Sequence, residues 1–150
     1  MDEKRIPILV GSGQITQREQ DPLVAQSPMD LTASAGFKAA DDTHIGKSIL
    51  KKLDTIVVIR SFSDTSWRFK CPFGKYSNPP LSLSKRLGAE NVNRLIYTYP
   101  GGNMPQWCVN RMFEMVTRGE LEIGMIAGGE SLATQKRACL LYTSPSPRDI

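Results

Sequence analysis

Nucleophiles, proton carriers and metal ligands are scarce in this chain. It has one histidine, His44, and three cysteines, Cys71, Cys108 and Cys139. Every Ser-His-Asp or Cys-His arrangement would therefore have to run through His44. That residue falls near the expected end of a helix, where an imidazolium faces the terminal carbonyls instead. An odd number of cysteines with no CxxC spacing argues against a disulfide framework and against zinc, so no metal site is expected. Cys108 lies beside Trp107 and Met112 in an apolar helical run, where desolvation raises a thiol pKa and cysteine packs as a small hydrophobe. Cys71, close to Arg68, Lys70 and Lys75, has better electrostatics for a thiolate and is read as an incidental loop thiol. Trp67 and Arg68 of the same loop are of the types that line cavities or subunit contacts.

The turn Gly101-Gly102-Asn103 is the local candidate for a ligand contact. Glycines let backbone approach a ligand closely, and a following helix N-terminus offers amides to a carbonyl oxygen or phosphate. The same residues also fit a tight strand-to-helix turn with Asn103 as the N-cap. Gly11-Ser12-Gly13 lacks the third glycine and the downstream acid of a dinucleotide site.

These residues need an α/β frame to hold them. Arg5 to Val10 reads as a short buried strand, followed by the glycine turn and a polar loop from Gln17 to Gln26. A helix then starts at a Ser27 cap, with Pro28 in its first position and Asp30 three residues after the cap. It ends near Asp42 to His44, and Gly36 with the neighbouring alanines implies close approach to a sheet. A short helical stretch from Gly46 to Leu53 leads to the β-branched run Thr55 to Ile59, a strand buried on both faces. Residues 61 to 80 read as a long surface excursion, and Leu81 to Leu87 as a helix stopped by Gly88. A βαβ unit follows: strand Arg94 to Tyr99, helix Met104 to Arg118 and strand Glu122 to Ala127. Met104, Trp107, Cys108, Met112, Met115 and Val116 make that helix apolar around most of its circumference, so it is expected between two layers. The polar run Ser131 to Arg137 is expected to lead into a further layer.

The whole chain has 150 residues, 40% of them hydrophobic, and 19 Lys+Arg against 15 Asp+Glu give a charge of +4. The basic residues are scattered, so no nucleic acid is expected as a partner. The longest apolar run, Ile6 to Val10, falls well short of the roughly 18 residues of a membrane span, and nothing at the start resembles a signal peptide. A cytoplasmic protein with no membrane partner is the expectation. The final stretch, CLLYTSPSPRDI, changes character abruptly and resembles the conceptual translation of a transposon-based sequencing adapter. Residues 139–150 are therefore read as a non-native tail, and residues 1–138 as an incomplete domain.

Four segments carry a family likeness: RIPILVGSGQITQRE, LDTIVVIRSFSDTSWRF, LSKRLGAE, and YTYPGGNMPQWCVNR continuing through RGELEIGMIAGGES. Together, spanning Arg5 to Ser131, they resemble the N-terminal part of the thiolase superfamily, most closely its thiolase-like branch of acetyl-CoA acetyltransferase type. The resemblance implies the N-terminal half of a thiolase-like α/β fold, truncated here, with a mixed sheet, helices on both faces and a buried central helix. It implies an acyl-CoA thioester as substrate or ligand, a place in lipid metabolism, and a homodimer paired near Arg94 to Tyr99. In that family a cysteine at the N-terminus of the buried helix takes the acyl group. The matching position here is Gly102 or Asn103, and neither is a nucleophile. No catalytic residue is assigned, therefore, and Gly101, Gly102 and Asn103 are the expected substrate-binding residues. An acyl-CoA acyltransferase-like parent with this fragment inactive is the first reading; a non-covalent acyl-CoA or lipid-binding module is the alternative. The family's acid/base residues, a histidine and a second cysteine or histidine, belong to a C-terminal half.

Overall fold

The computed structural model describes residues 5–65 and 72–142. Its centre is a three-stranded parallel sheet of β1 (Thr55–Val58), β2 (Arg94–Tyr97) and β3 (Gly124–Ala127), in the order β2-β1-β3. Register sets Ile56 beside Leu95 and Met125, and Val57 beside Ile96 and Ile126. Alternate residues point to opposite faces, so each row feeds a different core. Ile56 and Val58 pack with α1 (Pro28–Asp41) and α2 (Pro79–Leu87) on one face, whereas Val57 packs with α3 (Met104–Thr117) on the other. Ile56 and Leu83 are fully buried, worth about 1.5–3 kcal/mol each. The α/β class and the helices on both faces are as expected. The described strands are all parallel, so the mixed character of the expected sheet has no antiparallel member among these residues.

Local chemistry explains the helix boundaries. Ser27 Oγ accepts the Asp30 amide at 3.2 Å and donates to Asp30 Oδ2 at 2.6 Å, while Pro28 fills a position whose N–H would be unpaired. On α1 the small residues Ala33, Gly36 and Ala40 are buried, and a Cβ on Gly36 would lie 3.1 Å from Leu87 of α2. α2 begins two residues earlier than expected, because Asn78 caps it through Leu81 N–H and both Pro79 and Pro80 occupy its buried first turn. Its end is set by Gly88 at φ 65°, a left-handed conformation that suits glycine. At the amino end of the sheet, Asp54 Oδ2 accepts the amides of Glu122 (2.8 Å) and Ile123 (3.2 Å), and the Asp54 carbonyl accepts those of Asn93 and Arg94. One residue thereby fixes the entries of both outer strands.

Three expectations are corrected. Arg5 to Val10 forms no strand: Ile6, Ile8 and Leu9 are 72%, 73% and 81% exposed. No described strand runs alongside to take its backbone hydrogen bonds, and an apolar run without a ladder partner stays unpaired. The chain instead packs on α1 just beyond this segment, where a Cβ on Gly11 or Gly13 would fall 2.3 Å from a carbonyl oxygen of that helix. Second, α3 is covered on one side only; Cys108, Met112 and Met115 are buried while Trp107 and Phe113 are 53% and 41% exposed. The sheet supplies one layer, and no described element lies over the other face. Third, the excursion over residues 61 to 80 is partly integrated, with a 3-10 turn at Phe62–Asp64 whose Ser63 is buried. The βαβ strands β2 and β3 are parallel as expected but are separated by β1. The polar run after β3 lies in α4 (Leu132–Tyr142), which passes through positions 138 and 139 without interruption.

Candidate functional site

Parallel strands end together, and the loops at their carboxyl ends form the edge where α/β folds hold ligands. Here that edge is built from Ile59 and Arg60 after β1, Thr98 after β2, Gly128 to Glu130 after β3, and the start of α3. A cavity of about 290 Å³ opens there. Its walls are Ile59, Ile126, Ala127 and Pro105, with Gly128 and Gly129 at the turn and two charged side chains, Arg60 and Glu130. Gly128 is small for a reason: a Cβ there would sit 3.1 Å from Ile59.

The two charges differ in how they are engaged. Glu130 accepts the Phe62 amide and, at 3.5 Å, the Ser61 hydroxyl, tying the 3-10 turn to the end of β3. Arg60 donates from Nη2 to the Asp64 carbonyl at 3.1 Å, its amide reaches Thr98 Oγ1 at 3.3 Å, and its guanidinium lies 5.7 Å from the centre of the Tyr97 ring. Behind it, Tyr97 donates to Asp64 Oδ2 at 2.5 Å. Burial first, and the neighbouring carboxylate second, push the Tyr97 phenol well above its ordinary range, so it stays protonated as a donor. These bonds hold the turn rigidly over the sheet. A smaller cavity, about 50 Å³, lies nearby between Thr32, Ser61, Asp64 and Tyr97.

Gly101, Gly102 and Asn103 lie in the exposed turn leading into α3, and none of the three lines the larger cavity; Pro105, two residues on, does. Gly101 adopts φ 151°, and the Met104 amide donates to its carbonyl at 3.0 Å. Asn103 makes no side-chain cap bond, which corrects its expected role; its carbonyl takes the Trp107 amide. Pro105 brings no N–H, so the first turn of α3 is poorer in free donors than an ordinary helix start. Cys108 is 1% exposed against Val57, Met112 and Met115, and burial pushes its thiol pKa up, the opposite of an activated nucleophile. His44 is exposed in the turn after α1, and Cys139 is half-buried on α4; neither lines a cavity described above. Trp67, Arg68, Lys70 and Cys71 lie outside the described residues. Among the described residues no three His, Cys, Asp or Glu side chains come together as a metal site, and no helix is long and apolar enough to cross a membrane.

Sequence reasoning missed Arg60, Asp64, Tyr97 and Glu130. Their one available signal was position, since each ends or directly follows a strand or its adjoining turn.

No protein-family model and no curated protein matches the chain in sequence. In structure it is similar to a monomeric SCP2-thiolase like protein type 1 (STLP1) from Mycobacterium smegmatis, with a TM-score of 0.69 and 23% identity. The match covers 87% of this chain and 25% of that one, so this chain spans about a quarter of the solved protein's length. The likeness is one of fold: this chain has a partial thiolase-like α/β scaffold. Because that neighbour is a monomer, the fold by itself does not carry the homodimer expected through β2.

Proposed function

We propose that residues 1–138 are the N-terminal part of a longer protein that holds an acyl-CoA thioester on a thiolase-like scaffold without forming an acyl-enzyme on α3. The carrying observation is the start of that helix. A thiolate there would be stabilised by the helix dipole and the free amides. This chain places Gly101-Gly102-Asn103 at that point, and the thiol it has on α3, Cys108, is buried with a raised pKa. The thiolase-like fold and the cavity at the carboxyl ends of the strands support a ligand at this edge.

Acyl transfer of the acetyl-CoA acetyltransferase type is the other reading, and it needs a nucleophile from outside the described residues. The exposed faces of Trp107, Phe113 and the Ile6 to Val10 segment support an incomplete domain. The adapter-like residues 139–150 belong to no part of the proposed site. A cytoplasmic location and pairing through the open edge of β2 go with the same proposal.

Intact-mass spectrometry of the full-length protein after exposure to acetoacetyl-CoA, paired with calorimetric binding of CoA thioesters, tests it. Binding without a mass shift and without thiolysis is expected. An acetyl adduct on any cysteine would overturn the non-covalent reading, and absence of thioester binding would remove the proposal altogether.

A further inference from the structure

The cavity at the carboxyl edge of the sheet is lined by a cation, Arg60, that pairs with no carboxylate among the described residues. A guanidinium has five N–H donors in a fixed fork. On Arg60 one of them finds a protein acceptor, the Asp64 carbonyl, and no carboxylate among the described residues is within ion-pair reach. Its Nε is buried without a hydrogen-bond partner among the described residues. The carboxylate sharing the cavity wall, Glu130, keeps its negative charge, but its oxygens face the Phe62 amide and the Ser61 hydroxyl and make no ion pair with Arg60. Yet Arg60 is no free surface side chain. The Tyr97 ring, the Asp64 carbonyl and the buried Nε fix its position, so little freedom is left to lose on binding.

A held guanidinium with unfilled donors beside apolar walls selects for a ligand with an apolar body and one anionic oxygen group placed on the Arg60 side, away from Glu130. At about 290 Å³ the cavity is at the small end for a ligand pocket and suits a short chain of methylenes, not a nucleotide. We infer that Arg60 anchors a carboxylate at the far end of the acyl group, so that the thioester taken here is a short ω-carboxyacyl one. This rests on the thioester reading above and names its substrate class. Arg60 acts as a specificity residue. The fork matches a carboxylate through two parallel hydrogen bonds, which lysine cannot reproduce.

The test is calorimetric binding of glutaryl-CoA and pentanoyl-CoA to the full-length protein and to its Arg60→Gln and Arg60→Lys variants. Wild type is expected to prefer glutaryl-CoA by about tenfold or more, as one charge-assisted bidentate contact allows. Arg60→Gln should erase that preference while keeping pentanoyl-CoA affinity, which also reports an intact fold; Arg60→Lys should keep part of it. Equal binding of the two thioesters by wild type, or a preference that survives Arg60→Gln, overturns the inference and leaves the thioester reading standing. If Arg60→Gln fails to fold, the wild-type comparison and Arg60→Lys still decide. Failure of wild type to bind either thioester removes both.

Discussion

At the scale of single residues, three side chains make separable predictions, all measured in the full-length protein. Cys108 is buried in the α3 core with its thiol pKa raised by desolvation. At any given pH a smaller fraction of it is ionised than of a free cysteine. Alkylation by iodoacetamide, followed by mass spectrometry, should be at least about tenfold slower than at a free cysteine across pH 7–9. Equal rates would put Cys108 on an accessible surface. Asp54 offers one carboxylate oxygen to two backbone amides. Asp54→Ala should cost about 1–3 kcal/mol in urea unfolding, and Asp54→Asn less, since an amide oxygen still accepts. An unchanged midpoint for the alanine variant would mean that water replaces the carboxylate without loss. Asp30 is held below its ordinary value of 3.8, first by the Ser27 hydroxyl and then by Arg86 at 2.7 Å. Because the folded value is the lower one, this contribution is present above the unfolded pKa and lost as pH falls through the folded one. The pair is 31% and 49% exposed, so screening leaves it under about 1 kcal/mol. Asp30→Asn should therefore lower stability at pH 7 by up to that small amount, match wild type near pH 2, and so flatten the change in melting temperature between those limits.

At the scale of elements, the Gly11-Ser12-Gly13 segment, expected as a turn but irregular with no turn in the structure, shows how a motif with a familiar look serves packing. Its backbone lies against α1, and the Ser12 amide donates to Asp42 Oδ2 at 2.9 Å. Gly13→Ala would place a methyl 2.3 Å from the Ala35 carbonyl oxygen and 2.4 Å from the Ala39 amide. Neither helix atom can give way, so the segment should detach and become a site of limited proteolysis between residues 14 and 26. A digestion pattern identical to that of wild type would refute the anchoring. The elements legible in sequence were those with their own punctuation: Ser27-Pro28 opening α1, Gly88 closing α2, and the β-branched run of β1. The Arg5 to Val10 segment was not, because composition gives a strand its propensity while pairing needs a neighbour. Arg60 and Glu130 were invisible for a related reason. Their meaning depends on two strand ends about seventy residues apart in sequence meeting across one register.

For the whole molecule, the apolar surface decides how it behaves in isolation. Ile6, Ile8, Leu9, Trp107 and Phe113 are between 41% and 81% exposed, and large apolar side chains open to water favour association when they cluster. Residues 1–138 produced alone should bind a hydrophobic dye and sediment as more than one species. A monodisperse, cooperatively unfolding monomer would show that the sheet and its helices suffice. The strand order adds a constraint in time as well as in space. β1 is the central strand, yet it leaves the ribosome first, and its partner β3 begins 69 residues later, with Thr55 paired to Gly124. At ordinary elongation rates the strand waits roughly 3–14 seconds with an open edge. A nascent chain stalled between Tyr99 and Glu122 would therefore show β1 to any chaperone at the exit tunnel, and synonymous codons in that stretch set how long the exposure lasts.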